Sequence, residues 1–316
     1  MMMAAGRVTV RRDAAALEAL LAPRRAAGAS VAFVPTMGAL HEGHRSLVAH
    51  AATLAPIVVV SIFVNPTQFD VADDLERYPR DLDADLALLA TLDTLDTVDI
   101  VVYAPTVADV YPDGPVADLH IDEVTERLCG ASRPGHFDGV ATVVDALLRR
   151  VRPDVAVFGR KDHQQVVVVR RLVEEQGHDV RIVAAPTVRD VDGIAVSSRN
   201  KHLDDDGRAQ ARSIPRALAR AVLDVRRART QGRAIDTAAL LERTRAALDV
   251  GALDYVELVD AERITELPAH IGPDARALLA VAVHVGGGSG PVRLIDNVLL
   301  GDLEDEDRLL AAVDPA

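Results

Sequence analysis

The chain has 316 residues, 49% of them hydrophobic, and 35 Lys and Arg against 48 Asp and Glu give a formal net charge of −13. That length fits about two domains with a sizeable core, and the acidic balance argues against a general nucleic-acid binder, which would carry a basic face. One cysteine excludes an internal disulfide framework, no apolar run is long enough to span a bilayer, and the start Met1–Arg7 lacks the apolar stretch of a signal peptide. The chain is therefore expected to be cytoplasmic and to bind neither nucleic acid nor membrane.

The first part alternates strand and helix. Val31–Val34, Ile57–Val64, Val98–Tyr103, Asp154–Phe158 and Val180–Ala184 read as strands, and Asp13–Ala22, Gly43–Leu54, Leu82–Leu92, Gly139–Arg150 and His163–Gln176 as helices. Strands apolar along nearly their whole length belong to parallel sheets covered on both faces. Their alternation with helices predicts an α/β fold with a doubly wound parallel sheet. Thr91–Thr97 repeats a short Thr-Leu-Asp unit, read as a local duplication in a helix-to-strand connection. Past Arg189-Asp190 the pattern changes: amphipathic helices over Asp204–Gln231 and Asp236–Leu248 precede shorter strands at Tyr255–Asp260, Ala277–Val285 and Val292–Ile295. This reads as a second, smaller α+β domain, with domains at residues 1–188 and 189–316. The acidic tail Gly301–Ala316 is expected to be mobile in part, and the glycine-rich Val285–Pro291 to form a flexible hairpin tip far from the chemistry.

In such sheets ligands bind beyond the carboxyl ends of the strands, and the polar stretches fall there. Pro35-Thr36-Met37-Gly38-Ala39-Leu40-His41-Glu42-Gly43-His44 joins a strand to a helix. Backbone N–H groups and the helix dipole make such a turn an anion site, glycine allows close approach, and His41 and His44, three residues apart, share a helix face. A solvated cap or a zinc pair would use the same histidines, but zinc needs further ligands and Cys129 offers no set. Asn65-Pro66-Thr67-Gln68-Phe69 follows the next strand; its amides suit hydroxyl and carboxylate recognition, and an Asn-Pro turn is the simpler account. Arg133–Gly139 leads into a helix that Asp138 can cap, while Arg133 can face an anion. Phe158-Gly159-Arg160-Lys161-Asp162-His163-Gln164-Gln165 is a second strand–Gly–helix junction; Lys161 can reach a phosphate or pair with Asp162 at the surface. Ala195–Lys201 follows Val188-Arg189-Asp190, and its Ser197, Ser198 and Arg199 are good phosphate donors on a segment able to close over a ligand.

Taken together, PTMGALHEGH, FVNPTQF, RYPRD, RPGHFDGVATVV, FGRKDHQQ, AVSSRN, DYVELVD and VRLIDN resemble the pantoate–β-alanine ligase family of His-x-Gly-His nucleotidyltransferases, in order and over nearly the whole chain. The resemblance implies a Rossmann-like first domain that binds nucleotide and pantoate, and a smaller lid domain. It implies that ATP and the carboxylate of (R)-pantoate give pantoyl adenylate and pyrophosphate, after which the β-alanine amine attacks the acyl carbon to give pantothenate and AMP. Mg²⁺ is implied with ATP, and a homodimer joined through the first domain. His44, His41, Lys161 and Arg199 become the catalytic candidates. ATP is expected to meet Met37, Gly38, Ala39, Leu40, His41, Glu42, Gly43, His44, Gly159, Arg160, Lys161, Asp162, Val188, Val196, Ser197, Ser198 and Arg199. Pantoate and β-alanine are expected at Gln68, Gln165, Asn65 and Met37, and Asp85 is the candidate to meet Mg²⁺ through water. Three positions depart from the family: Arg160 replaces a usual Glu, His163 a common aromatic, and Val196 a common Met. Two other readings remain to be separated from this one. An adenylate former acting on another acid would not need Met37, Asn65, Gln68 and Gln165 together, and a non-catalytic nucleotide binder would not need the full set of cations and histidines.

Overall fold

The computed structural model describes residues 8–69, 75–76, 78–92, 97–288 and 290–313. Residues 93–96 of the Thr-Leu-Asp duplication, Arg77 of the RYPRD stretch and Ser289 of the glycine-rich tip lie outside the described residues. Helices in chain order are α1 Ala14–Ala26, α2 Glu42–Ala52, α3 Leu82–Leu89, α4 Val107–Val110, α5 Leu128–Ser132, α6 His136–Val151, α7 His163–Gln176, α8 Asp205–Ala211, α9 Ser213–Thr230, α10 Thr237–Ala246 and α11 Leu303–Ala312. The chain forms two compact units: residues 1–121, 133–160 and 168–185 make the first, and residues 122–132, 161–167 and 186–316 the second. The expected passage after residue 188 thus lies near the last change of unit, after Ala185, and two earlier segments also belong to the second unit.

The first unit is built on six parallel strands, β1 Thr9–Arg11, β2 Val31–Thr36, β3 Ile57–Ile62, β4 Asp99–Tyr103, β5 Val155–Gly159 and β6 Arg181–Ala185. They lie in the order β1-β4-β3-β2-β5-β6. From β2 the chain winds through β3 to β4 on one side, and the later strands β5 and β6 add on the other. The order therefore reverses between β2 and β5, where Ala32 pairs with Val155, and ligands of doubly wound sheets bind beyond such a point. Val34, Val58, Val60, Val102 and Val157 are buried with Val48 and Ala51 of α2 and Leu89 of α3, which accounts for the near-continuous apolar runs. The strand β1 was not foreseen: its three half-buried residues carry no period of their own and are recruited by the edge of β4.

The second unit has an antiparallel sheet in the order β11-β10-β8, formed by β8 Ala252–Asp260, β10 Ala277–Val285 and β11 Val292–Leu300. A two-stranded pairing joins β7 Ile235–Asp236 to β9 His270–Ile271. Ile214, Leu218, Val222 and Val225 form the buried stripe of α9 and share a core with Leu279, Val281 and Val283 of β10. The single helix expected over Asp204–Gln231 is two, broken at Arg212. Pro215 causes the break, because it has no N–H for the Ala211 carbonyl and its ring crowds that oxygen. Of the tail expected to be mobile in part, Leu303–Ala312 forms α11 and residues 314–316 lie outside the described residues: Asp302 accepts the Asp305 N–H at 3.2 Å, acidic residues fill the first turn, and Leu309 is buried. The glycine-rich tip is also tied down. Gly286 N–H donates to Gln210 Oε1 at 3.0 Å and Gly288 N–H to the His202 carbonyl at 3.2 Å. A Cβ on Gly207 would meet the Gly286 carbonyl at 1.8 Å, so this tip packs beside the segment that follows Ser197–Arg199 instead of standing apart from it. Among the described residues no helix is long and apolar enough to cross a membrane.

Candidate active site

In the first unit, the turn after β2 is held from three directions. Thr36 Oγ1 donates to the Ser61 carbonyl at 2.5 Å and accepts the Gly38 N–H at 3.2 Å, fixing the end of β2 to β3. Gly38 and Ala39 then take left-handed φ values of +83° and +50°, a reversal that glycine makes without strain. A Cβ on Gly38 would lie 3.0 Å from Asp85 Oδ2 and 3.1 Å from Ile62 Cγ2. Asp85, only 3% exposed, accepts the Leu40 N–H at 2.7 Å. The residue expected near Mg²⁺ is thus a brace under the turn: its carboxylate is turned into the protein and accepts a backbone hydrogen bond.

The start of α2 is a reciprocal cap made of two imidazoles. His41 Nδ1 accepts the Gly43 N–H at 3.1 Å, and His44 Nδ1 accepts the His41 N–H at 3.3 Å. A ring nitrogen that accepts carries no proton, so each neutral ring keeps its proton on Nε2. The rings lie 4.1 Å apart at 30°. The helix N-terminus therefore carries two Nε2–H donors beside its own dipole, which is the chemistry of an anion site.

The turn after β3 is equally constrained. Asn65 is fully buried and its amide is spent: Nδ2 donates to Gln68 Oε1 and to the Gly139 carbonyl, both at 3.0 Å. Its Oδ1 accepts Tyr111 Oη–H at 2.7 Å and the Thr67 N–H at 3.4 Å. Burial pushes the Tyr111 hydroxyl above its ordinary pKa, keeping it a donor. Asn65, expected beside pantoate, orients Gln68, whose oxygen it holds. The Gln68 carbonyl in turn accepts Arg133 Nη2–H at 3.1 Å and meets His136 Nδ1 at 3.2 Å. Arg133 thus supports this turn, and Asp138 does not cap α6: Gly135 occupies that place with no side-chain bond, and Asp138 meets His120 Nδ1 at 2.8 Å. Gly139 lets α6 touch the turn, since a Cβ there would fall 2.2 Å from the Thr67 carbonyl oxygen. Glycine at the start of the expected helix was the one visible signal of this contact.

In the second unit a small cavity is lined by Lys161, Ser197, Arg199, Arg293 and Asp296 among others. Lys161 Nζ is 3.6 Å from Asp162 Oδ2. Ser197 Oγ accepts the Arg199 N–H at 3.3 Å, and Arg199 Nη1 donates to the Arg293 carbonyl at 3.5 Å. Ser198 opens the short helical turn Ser198–His202. The expected adenine contacts Val188 and Val196 pair with each other, Val196 N–H donating to the Val188 carbonyl at 2.9 Å. Buried His163 has its Nε2 2.8 Å from the Ala261 carbonyl, so the place of a common aromatic is taken by a ring whose Nε2 has a backbone partner. Gln165 is half-buried in the first turn of α7. Arg293 carries a second set of contacts that sequence reasoning missed, to Asp254 Oδ2 at 2.8 Å and Ser132 Oγ at 3.1 Å.

The expected site residues thus fall into two groups. The first unit brings together Met37, Gly38, Ala39, Leu40, His41, Glu42, Gly43 and His44, with Gly159 and Arg160 at the end of the neighbouring β5. Asn65 and Gln68 follow β3, beside β2 on its other side. The second unit holds Lys161, Asp162, Gln165, Val188, Val196, Ser197, Ser198 and Arg199.

A family model described as pantoate-beta-alanine ligase matches residues 9–299. The chain is 46% identical to the pantothenate synthetase of Novosphingobium aromaticivorans, over 87% of this chain and 92% of that protein. It is 47% identical to that of Corynebacterium efficiens, over 89% and 94%. Among solved structures it is similar to the pantothenate synthetase of Thermus thermophilus, with a TM-score of 0.78 and 40% identity over 93% of this chain and 99% of that one. It is also similar to the pantoate-beta-alanine ligase of Francisella tularensis complexed with beta-gamma ATP and beta-alanine, with a TM-score of 0.68 and 33% identity over 93% and 98%.

Proposed function

This chain belongs to the pantoate–β-alanine ligase family, and from that membership we propose how its own residues carry the reaction. It is an ATP-using ligase that condenses pantoate with β-alanine. In the first half-reaction, a pantoate carboxylate oxygen attacks the α-phosphorus of ATP and the bond to pyrophosphate breaks. The carboxylate is ionised at neutral pH, so no base is needed; what the site must supply is alignment, and donors for the charge that moves onto the leaving pyrophosphate. The reading rests on one observation above all: both Nδ1 atoms of the His41–His44 cap accept backbone N–H groups, so each ring proton sits on Nε2, the atom that donates to phosphate oxygen. His44 meets the reacting phosphates and His41 supports it. Lys161, Ser197, Ser198 and Arg199 bind the triphosphate, while Gly43, Gly159 and Asp162 line the nucleoside. In the second half-reaction the neutral amine of β-alanine attacks the acyl carbon, AMP leaves with the bonding pair, and the nitrogen, cationic after attack, gives one proton to water.

Gln68 and Gln165 hold the pantoate hydroxyls and Met37 lines the floor beneath them. Because Asn65 occupies the Gln68 oxygen, Gln68 offers its NH₂ to the acid. Gln68→Ala is expected to raise the KM for pantoate about tenfold or more, on the scale of one lost ligand hydrogen bond, with the KM for ATP nearly unchanged; initial rates with each substrate varied separately give both values.

Mg²⁺ neutralises phosphate charge when it accompanies ATP, and it is held mainly by phosphates and water. The buried Asp85, bound to the Leu40 N–H, does not fit a hydrated ion. No step here therefore runs through a protein-bound metal. A homodimer joined through the first domain, working in the cytoplasm on Mg²⁺–ATP, belongs to the same proposal and is supported by the family resemblance alone.

The decisive experiment is pyrophosphate release from ATP with and without (R)-pantoate, before β-alanine is added. Release that depends on pantoate is the expected result. ATP binding without such release would assign the site to another acid or to nucleotide binding alone.

A further inference from the structure

We infer that Asn297 is a positioning residue for ATP, acting through the main chain of Lys161. The inference deepens the assignment of Lys161 to the triphosphate made above and rests on it. Lys161 stands in the three-residue turn Arg160–Asp162 between β5 and α7. A single turn of this tight kind has poor hydrogen-bond geometry of its own, and a lysine stem is flexible, so something outside the turn must fix where the ammonium starts. Asn297 does this: its Nδ2 donates to the Lys161 carbonyl at 2.8 Å. Asn297 is itself 7% exposed and sits in the nine-residue strand β11, paired with Ala280 of β10. A rigid strand thus holds the carbonyl of the very residue whose side chain must reach phosphate.

The adjacent residue fastens the other phosphate-directed segment. Successive strand side chains leave opposite faces, so Asp296 reaches a different part of the second unit. Its carboxylate takes Arg189 Nη1 at 2.6 Å and Nη2 at 3.0 Å, a bidentate pair with side chains only 3% and 7% exposed. Arg189 Nη1 also donates to the Gly193 carbonyl at 3.0 Å. Burial alone would ease the proton off Arg189, but Asp296 outweighs it and the group stays charged. Arg189 thereby fixes the hairpin closed by Val188 and Val196, immediately before Ser197. Two consecutive residues of β11 hold both segments, and Asp296 lines the same cavity as Lys161, Ser197 and Arg199. Such support is what keeps a binding group within a fraction of an ångström of its working place.

The test is Asn297→Asp, which keeps shape but sets a carboxylate oxygen against the Lys161 carbonyl, measured beside Asn297→Ala and Lys161→Ala in the full chain. The KM values for ATP and pantoate are determined separately, with a thermal melt of each variant. Both Asn297 variants are expected to raise the KM for ATP about tenfold, the scale of one lost buried hydrogen bond. The pantoate KM should stay within about twofold and the melting temperature should fall by only a few degrees. An unmoved ATP KM in Asn297→Asp, while Lys161→Ala raises it, overturns the inference. So does a parallel rise in both KM values, which is what general loosening produces. Asn297→Ala, which adds no charge, gives the same reading if the carboxylate prevents folding. If Lys161→Ala leaves the ATP KM unchanged, the underlying assignment of Lys161 fails and the inference falls with it.

Discussion

His44→Ala slows adenylate formation by about 10²–10³-fold, the usual loss when one preorganised donor to developing charge is removed. The structure separates two consequences of that change. One is the loss of the Nε2–H donor. The other is the loss of half the reciprocal cap, because His44 Nδ1 accepts the His41 N–H; a lost cap costs about 1 kcal/mol of stability. His44→Gln distinguishes them, since glutamine is a standard partner at this position of a capping box. It should restore most of the melting temperature and little of the rate. Single-turnover measurement of pantoyl adenylate, with β-alanine withheld, reads the chemical step directly. Wild-type single-turnover rates in His44→Ala would remove His44 from the chemistry.

Gly139→Ala is the second large effect, and it acts where no side chain touches substrate. The new Cβ would lie 2.2 Å from the Thr67 oxygen and 2.7 Å from its carbonyl carbon. Both are backbone atoms, so neither can rotate away. Overpacking of this kind costs about 1–3 kcal/mol, and here it must be relieved by moving α6 or the Asn65–Gln68 turn. Either movement breaks the bond from Asn65 Nδ2 to the Gly139 carbonyl and misdirects Gln68. The expected result is a lower melting temperature together with a rise in pantoate KM of at least tenfold, about 1.4 kcal/mol, while ATP affinity measured by calorimetry changes little. A variant that loses stability but keeps the pantoate KM would show that the turn repacks without moving Gln68.

Much of this was legible in the residues, for physical reasons. Buried parallel strands must be apolar on both faces, so Val31–Val34 and Ile57–Val64 announce themselves, the second read two residues past its observed end at Ile62. The His41–His44 turn carries its chemistry within four consecutive residues, so one glance at the chain finds it. What sequence reading missed was set by distant partners. Asp85 was placed near a cation by the family resemblance alone, and nothing in its neighbourhood reveals that Leu40, 45 residues away in sequence, offers it an N–H. Asn65 looked like a ligand because an amide has four bonding sites, and only the fold shows that Gly139 and Tyr111 use them. The break before α9 was visible in principle, since Pro215 cannot donate to Ala211, but the apolar period running past it concealed the interruption. Asp296 and Asn297 lie just past the expected strand Val292–Ile295, and nothing around them in the chain shows that they hold Arg189 and Lys161.

The chain changes unit at 121/122, 132/133, 160/161, 167/168 and 185/186, and this has a consequence for how such a protein is made and exchanged. A nascent chain that has emerged only as far as residue 188 already contains Lys161 and His163, but not Asn297 or Ala261, whose bonds to them complete their setting. Those partners arrive later, so the second unit matures only once β8 to β11 have been synthesised, however early its first segments appear. The same interleaving rules out treating that unit as a cassette. A graft between related ligases must carry residues 122–132 and 161–167 along with 186–316, or it will place one parent's cation on the other parent's support.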